Sequence, residues 1–338
     1  MRVGADAAPS ESNPSRIARR DPRPIPRVPG EVRAVLAVRN EMLRLPRLLD
    51  HYRAVGVGRF LVVDNASTDG SAAYLLSQPD VHSFHTDESF GASGFGMRWL
   101  HAVLDAFCDG HWTAVVDADE LLVYPHCEAV GLGRFTAHLD AQGAEAVFAI
   151  MVDMYPAGPI REAHLAPGQS LLAACPHFDP GPYEERASVA FPHREVFGGP
   201  RRRIFWGRHG GGHHPPTLSK IPLVRWRRGM RFRLSQHAMT PAALADVSAA
   251  LLHFKFLADF HDRALREAAR GEHYDGAREY RTYARLLAEN PDLSLFHACS
   301  AAYRDSAQLV ACGLMRDSPA YRRFLAGDRV GAPAQALS

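Results

Sequence analysis

Residues 32–64 read VRAVLAVRNEMLRLPRLLDHYRAVGVGRFLVVD, and this stretch decides the fold class. Val32–Val38 is a β-branched, apolar run of strand length. From Arg44 to Val55 the residues Leu45, Leu48, Leu49, Tyr52 and Val55 recur at helical spacing. Arg59–Asp64 (RFLVVD) is then a second strand. The alternation continues outward. Asp69–Leu76 predicts a short helix capped by Ser67 or Thr68, and Val81–His85 a third strand. Phe95–Phe107 predicts a helix and Trp112–Asp117 (WTAVVD) a fourth strand, followed by a helix over Phe135–Gln142 and a strand over Ala146–Val152. Strands alternating with helices predict an α/β fold with a mostly parallel sheet flanked by helices.

In such sheets ligands bind beyond the carboxyl ends of the strands. That edge collects Asn40 and Glu41 after the first strand, Asp64 and Asn65 at the second, and Asp117-Ala118-Asp119-Glu120 at the fourth. Two carboxylates one residue apart can present oxygens to a hard cation, Mg²⁺ or Mn²⁺, that keeps places for water and phosphate. A solvated turn or an acidic helix start would use the same residues. The apolar WTAVV before them and the other acids on the edge favour the cation, with Asp117 and Asp119 as ligands. Asp64 opens VVDNASTDGS, where its carboxylate can accept from a base or ribose edge, although Asx and Ser/Thr residues also fill ordinary turns. An EF-hand is excluded, because Ala66, Thr68 and Leu75 stand where ligands are required. Arg39-Asn40-Glu41 taken alone reads as a cap.

Composition narrows the class. The 338 residues are 46% hydrophobic, enough for a large core and too many for a disordered chain. No apolar run approaches the roughly 20 residues that cross a bilayer. Residues 1–30 are rich in Pro and Arg, lack a hydrophobic signal-like core, and read as a disordered lead-in. Cys108, Cys127, Cys175, Cys299 and Cys312 stand far apart with no CxxC, which points to a reducing cytoplasm. A net charge of +2 gives no case for nucleic acid, yet Val196–Ala245 contains no acidic residue and many arginines. Such a block suggests an anionic partner, and it is the surface that would meet a membrane.

The order RNE, VVDNASTDGS and WTAVVDADELLVYP over about residues 33–155 resembles the family 2 glycosyltransferases and relatives of the GT-A fold. The segments GGPRRRIF, LSKIPLVRW and LLHFKF resemble a bacterial subgroup and extend the likeness to about residue 290. The resemblance implies a nucleotide-diphosphate-sugar donor, with UDP the expected carrier, a DxD metal site and transfer with inversion to a hydroxyl acceptor. It implies a nucleoside contact for Asp64, and ribose and metal-bound diphosphate contacts for Asp117 and Asp119. The acidic pair that marks the base in many members has no recognisable counterpart here.

Asp153, after the strand FAIMV, is either a catalytic base facing the donor or a strand-end turn residue; Glu195 is a second candidate. If LLHFKF is extended, His253 and Lys255 share one face, where they would grip a diphosphate or His253 would complete the metal shell. Only Lys220 and Lys255 are lysines among 39 basic residues, and an ammonium differs from a guanidinium at a phosphate. Arg201–Arg203 read as a solvated basic loop or a clamp on anionic groups, and Trp226 as a packing residue. His209, His213 and His214 match no zinc spacing.

The chain therefore divides into a disordered segment (1–30), a nucleotide-sugar-binding GT-A half (31–155), a loop-rich acceptor region (156–257) and C-terminal helices (258–338). The acceptor is a glycan, lipid or small molecule, and nothing fixes the oligomeric state. A nucleotidyltransferase would require a glycine-rich loop after the first strand, and Val38–Arg44 has no glycine. A non-catalytic sugar- or lipid-binding module would be expected to carry a broken acidic cluster, and this one is whole.

Overall fold

The computed structural model describes residues 16–187, 194–207, 215–233 and 235–327. The strands are β1 (Ala18–Arg19), β2 (Val32–Val38), β3 (Val57–Asp64), β4 (Val81–His85), β5 (Trp112–Val115), β6 (Glu120–Val123), β7 (Ala146–Asp153), β8 (His177–Phe178), β9 (Glu184–Arg186), β10 (Glu195–Phe197), β11 (Ser219–Arg225), β12 (Ala249–His253) and β13 (Ala301–Ala302). The helices are α1 (Leu45–Ala54), α2 (Ser71–Ser77), α3 (Met97–Phe107), α4 (Leu132–Ala141), α5 (Leu171–Ala174), α6 (Phe260–Arg270), α7 (Tyr274–Glu289), α8 (Ser306–Ala311) and α9 (Pro319–Gly327).

Nine strands form one sheet in the order β1-β4-β3-β2-β5-β11-β7-β12-β6. Six of the nine run the same way (β2, β3, β4, β5, β7 and β12), while β1, β6 and β11 reverse. This is a Rossmann-like α/β sheet, mostly parallel and flanked by helices. Alternate residues of its strands are buried on opposite faces, as an apolar run covered on both sides requires. Ala34, Leu36 and Val38 pack with Leu45, Leu48 and Tyr52 of α1. Val35, Leu61 and Val63 pack on the other face with Trp99, Leu100 and Val103 of α3. A third cluster, rich in aromatic rings, joins Tyr155, Phe205, Phe256 and Phe260 to Tyr280 and Tyr283 of α7.

Several local expectations are corrected. The lead-in is ordered from residue 16 onward: β1 pairs with β4, and buried Asp21 meets His82; residues 1–15 lie outside the described residues. α2 begins at Ser71, because Asp69 rather than Ser67 or Thr68 accepts the Ser71 N–H, at 3.0 Å. α3 begins at Met97, because Gly94, Phe95 and Gly96 all have positive φ (67°, 60° and 80°). The C-terminal helices expected over 258–338 bury Phe260, Tyr280, Tyr283 and Leu287. The supposed acceptor region supplies β11 and β12 to the one sheet, with β11 in its interior.

Candidate active site

Register builds the site. His253 at the end of β12 is paired on one side with Asp153 of β7 and on the other with Glu120 of β6. The DADE segment leaves β5 inside the sheet and enters β6 at its edge. It is tied to the end of β12, since Phe254 N–H donates to the Asp119 carbonyl at 2.8 Å. Above these strand ends opens a cleft of about 2280 Å³, lined among others by Asn40, Glu41, Asp117, Asp119, Lys220 and His253.

Lys220 is 2% exposed and lies between two acids of the motif, 2.7 Å from Asp117 Oδ2 and 2.8 Å from Glu120 Oε1. Glu120 also accepts the Asp117 N–H at 3.1 Å, and Gln236 donates to Asp117 Oδ1 at 3.3 Å. Burial would raise the Asp117 carboxyl, but the charge and hydrogen bond of Lys220 hold it below the usual range. Burial prevails at Glu120, which is raised in spite of Lys220. The half-exposed Asp117 is thus the open member of a fixed triad.

Asp119 faces the other way. Its Oδ2 lies 3.1 Å from Arg263 Nη1 and 3.5 Å from His253 Nε2. His253 Nδ1 donates to Asp153 Oδ1 at 2.6 Å, and Arg201 grips Asp153 with two hydrogen bonds of 2.8 and 3.0 Å. Burial alone would lower the imidazole, but the carboxylates on its two sides raise it above its ordinary value. Asp153, expected either as a base facing the donor or as a strand-end turn residue, lies behind His253. Its side chain is fully buried, it does not line the cleft, and Arg201 and His253 overcome burial to hold it well below the usual range. It orients His253.

The network continues to the first strand's loop. Arg263 Nη2 reaches Glu41 Oε1 at 3.1 Å, and Arg44 joins Glu41 (3.4 Å) to Asp259 (2.7 Å). Asn40, in the left-handed region at φ 54°, accepts the Thr68 N–H at 2.7 Å and receives Ser67 Oγ against its own N–H at 2.9 Å, which locks two loops together. Asp64 is buried and does not line the cleft. One of its oxygens accepts the Ser67 N–H at 3.3 Å, and the other, Oδ1, is buried with no partner among the described residues. Lys255 lines the cleft but does not reach out with His253: β12 has ended, and its ammonium is held 3.1 Å from Glu279, over the rings of Tyr280 and Tyr283.

The basic block is largely answered by acids from elsewhere. Arg203 pairs with Asp179, Arg225 with Asp140, Arg227 with Glu145 and Arg231 with Asp105. Arg228 and Arg233 have no ion pair among the described residues. Arg208, His209, His213 and His214 lie outside the described residues. Trp226 is buried, donates to Asp105 at 3.0 Å and stacks near His101 and Phe232. No described helix is long and apolar enough to cross a membrane. Arg263 and Glu279 were invisible as site residues in the sequence, since a charged residue on a helix surface reads as solvated until its distant partners are known; Arg201, expected in a solvated loop or a clamp on anionic groups, is instead buried against Asp153.

The donor set can be tested against a divalent cation. Asp117, Asp119 and His253 do not converge as three ligands; no group of three His, Cys, Asp or Glu does among the described residues. Lys220 draws Asp117 aside. Asp119 and His253 fit better, because an imidazole whose Nδ1–H is fixed by a carboxylate turns Nε2 outward for a metal. One carboxylate and one imidazole suit a cation that keeps most of its shell for water and phosphate.

No protein-family model and no curated protein matches the chain. Among solved structures, S. aureus TarS 1-349 is 13% identical over 77% of this chain and 70% of that chain, with a TM-score of 0.33. S. aureus TarS 1-349 in complex with UDP is 15% identical over 37% of this chain, at a TM-score of 0.28, and the chain spans 35% of its length. UTP-bound UGPase from Acinetobacter baumannii is 11% identical over 90% and 95% of the two chains, with a TM-score of 0.27.

Proposed function

We propose that this chain is a glycosyltransferase of GT-A type. It would take a sugar from a nucleotide diphosphate, UDP the expected carrier, to a hydroxyl acceptor with inversion, using Mn²⁺ or Mg²⁺. The observation that carries the reading is Asp119 facing His253 Nε2, with Asp153 fixing the imidazole from behind, in a cleft at the strand ends. Asp119 and His253 would hold the cation, which would supply Lewis acidity to the leaving diphosphate. Asp117, half-exposed and held by Lys220, would accept a ribose hydroxyl. Asp64, buried behind the cleft wall, would reach a nucleoside only if its turn shifts; its Oδ1, without a partner among the described residues, would gain a donor there, and a buried acceptor left without one costs about 1–3 kcal/mol. With Asp153 enclosed, the candidate base is Glu195, which lines the cleft half-buried without an ion pair among the described residues.

The test is a binding and hydrolysis screen of UDP-, GDP- and dTDP-sugars with and without Mn²⁺ or Mg²⁺, repeated with Asp119→Ala. Metal-dependent turnover of one donor, reduced at least ~10²-fold in the variant, is expected. No metal-dependent binding or turnover with any donor sinks the reading. Pyrophosphate exchange with a nucleoside triphosphate and a sugar 1-phosphate would move the chain to the nucleotidyltransferases.

A further inference from the structure

Asp119 and Glu41 are both buried, at 4% and 7% exposure, and one guanidinium separates them. Arg263 gives Nη1 to Asp119 Oδ2 and Nη2 to Glu41 Oε1, each at 3.1 Å. It therefore sits at the same carboxylate oxygen that faces His253 Nε2. The side chain is 18% exposed and lines the cleft, so it has room to leave Asp119. Glu41 gives it a second anchor that does not depend on Asp119. Glu41 is itself tethered by Arg44, and Arg44 by Asp259 on the turn that starts α6, the helix that carries Arg263. The guanidinium thus keeps, through Glu41, Arg44 and Asp259, a chain of ion pairs that leads back to its own helix and does not involve Asp119.

Resting on the assignment of Asp119 and His253 as cation ligands, we propose that Arg263 is a positioning residue that occupies the cation's place at Asp119 in the metal-free protein. A divalent cation entering there meets a fixed positive charge and must displace it. The displaced guanidinium stays anchored to Glu41 at the edge of the cleft, where a diphosphate supplies the anion that replaces Asp119. Arg263 would then weaken binding of the bare cation and favour binding of the cation together with its diphosphate. Such coupling is reciprocal: the nucleotide strengthens the metal as much as the metal strengthens the nucleotide.

The experiment is Mn²⁺ titration by electron paramagnetic resonance and calorimetry on the full chain, with and without UDP, for wild type, Arg263→Gln, Arg263→Met and Arg263→Lys. Removing a unit charge within a few ångströms of a divalent ion should tighten Mn²⁺ alone by about tenfold or more. The Gln and Met variants should both show this, while the tightening that UDP adds should shrink by a similar factor. The Lys variant, which keeps the charge, should stay within about threefold of wild type. Two neutral variants guard against one that fails to fold, and a thermal melt of each identifies it. If wild type binds Mn²⁺ and the neutral variants bind it no more tightly, the proposal fails alone. If wild type binds no Mn²⁺ with or without UDP, the ligand assignment fails and takes the proposal with it.

Discussion

Replacing Lys220 by Met separates two roles that a buried lysine beside an acidic motif could have. One is a phosphate contact; the structure makes it the internal counter-ion of Asp117 and Glu120, at 2.7 and 2.8 Å. Removing one partner of a buried ion pair costs about 3–5 kcal/mol, because the remaining charge is left without compensation. The two acids would respond differently. The Asp117 side chain is 49% exposed and can be rehydrated, whereas Glu120, 1% exposed, cannot. The expected loss is therefore near the lower figure, ~3 kcal/mol, and comes from Glu120. Its folded pKa, already raised, would rise further in the variant. A carboxyl raised on folding binds protons more tightly in the folded state, so stability falls as pH rises from its unfolded value toward its folded one. The deficit of K220M should accordingly be largest near neutrality and shrink toward pH 4. Adding Glu120→Gln should recover most of it, since Gln keeps an acceptor for the Asp117 N–H. The assay is urea unfolding of the four members of the double-mutant cycle at two pH values, with UDP affinity measured in parallel. A K220M protein within ~0.5 kcal/mol of wild type that has lost UDP affinity would refute the counter-ion assignment, as that stability change is typical of a surface site.

Asp153→Asn and Glu195→Gln should separate support from chemistry. The first should destabilise the fold by ~3 kcal/mol by leaving Arg201 poorly paired and should weaken Mn²⁺ binding ~10-fold. The second should keep donor affinity and lower transfer by ~10²-fold or more, as loss of a base does; equal transfer in E195Q would remove that assignment. Acid should loosen the α6–α7 region early. Burial would raise Glu267 and Glu279, but His273 and Arg270 hold the first at about 2, and Lys255 with Tyr283 the second at about 2. Both carboxylates then contribute stability that is present above pH ~4.5 and is lost as pH falls toward 2, on the order of 3 kcal/mol together after solvent screening. Hydrogen exchange of α6 and α7 across that window checks it, and unchanged protection down to pH 2.5 would contradict it.

The first half of the fold was legible because its strands and helices are local. The apolar alternation of Val32–Val38 and the spacing of Leu45, Leu48, Leu49 and Tyr52 name both element and buried face without knowing any partner. The reversed interior strand β11 was not legible. Its run SKIPLVR carries Pro222 within a strand, which argues against a central place, and the structure accommodates it with a register shift between Lys220 and Leu223. The acid-free block misled for a related reason. Counting charges along the chain cannot register that Asp105, Asp140, Glu145 and Asp179 come from remote segments to meet it. Asp119 was singled out by its motif and His253 by its place in LLHFKF; that Asp153 backs His253 from within followed only from the β7–β12 register.

The chain of alternating charges Arg201–Asp153–His253–Asp119–Arg263–Glu41–Arg44–Asp259 bears on where function lies. Buried ion pairs are poor stabilisers, since the cost of desolvation consumes much of what their attraction returns, and apolar residues of similar size often serve as well. An apolar core was available to this sequence, as the clusters on both sheet faces demonstrate. That eight ionisable groups gather at one cleft instead, six lining it and Asp153 and Arg44 buried behind them, is a departure from what stability favours, and such departures gather at functional sites. The network fixes the orientation of His253, holds Asp119 ionised and leaves one of its members, Arg263, able to exchange partners. Asp64 lies outside it, so its contribution would be to recognition of a ligand, while the proposed chemistry would fall to the groups around Asp119.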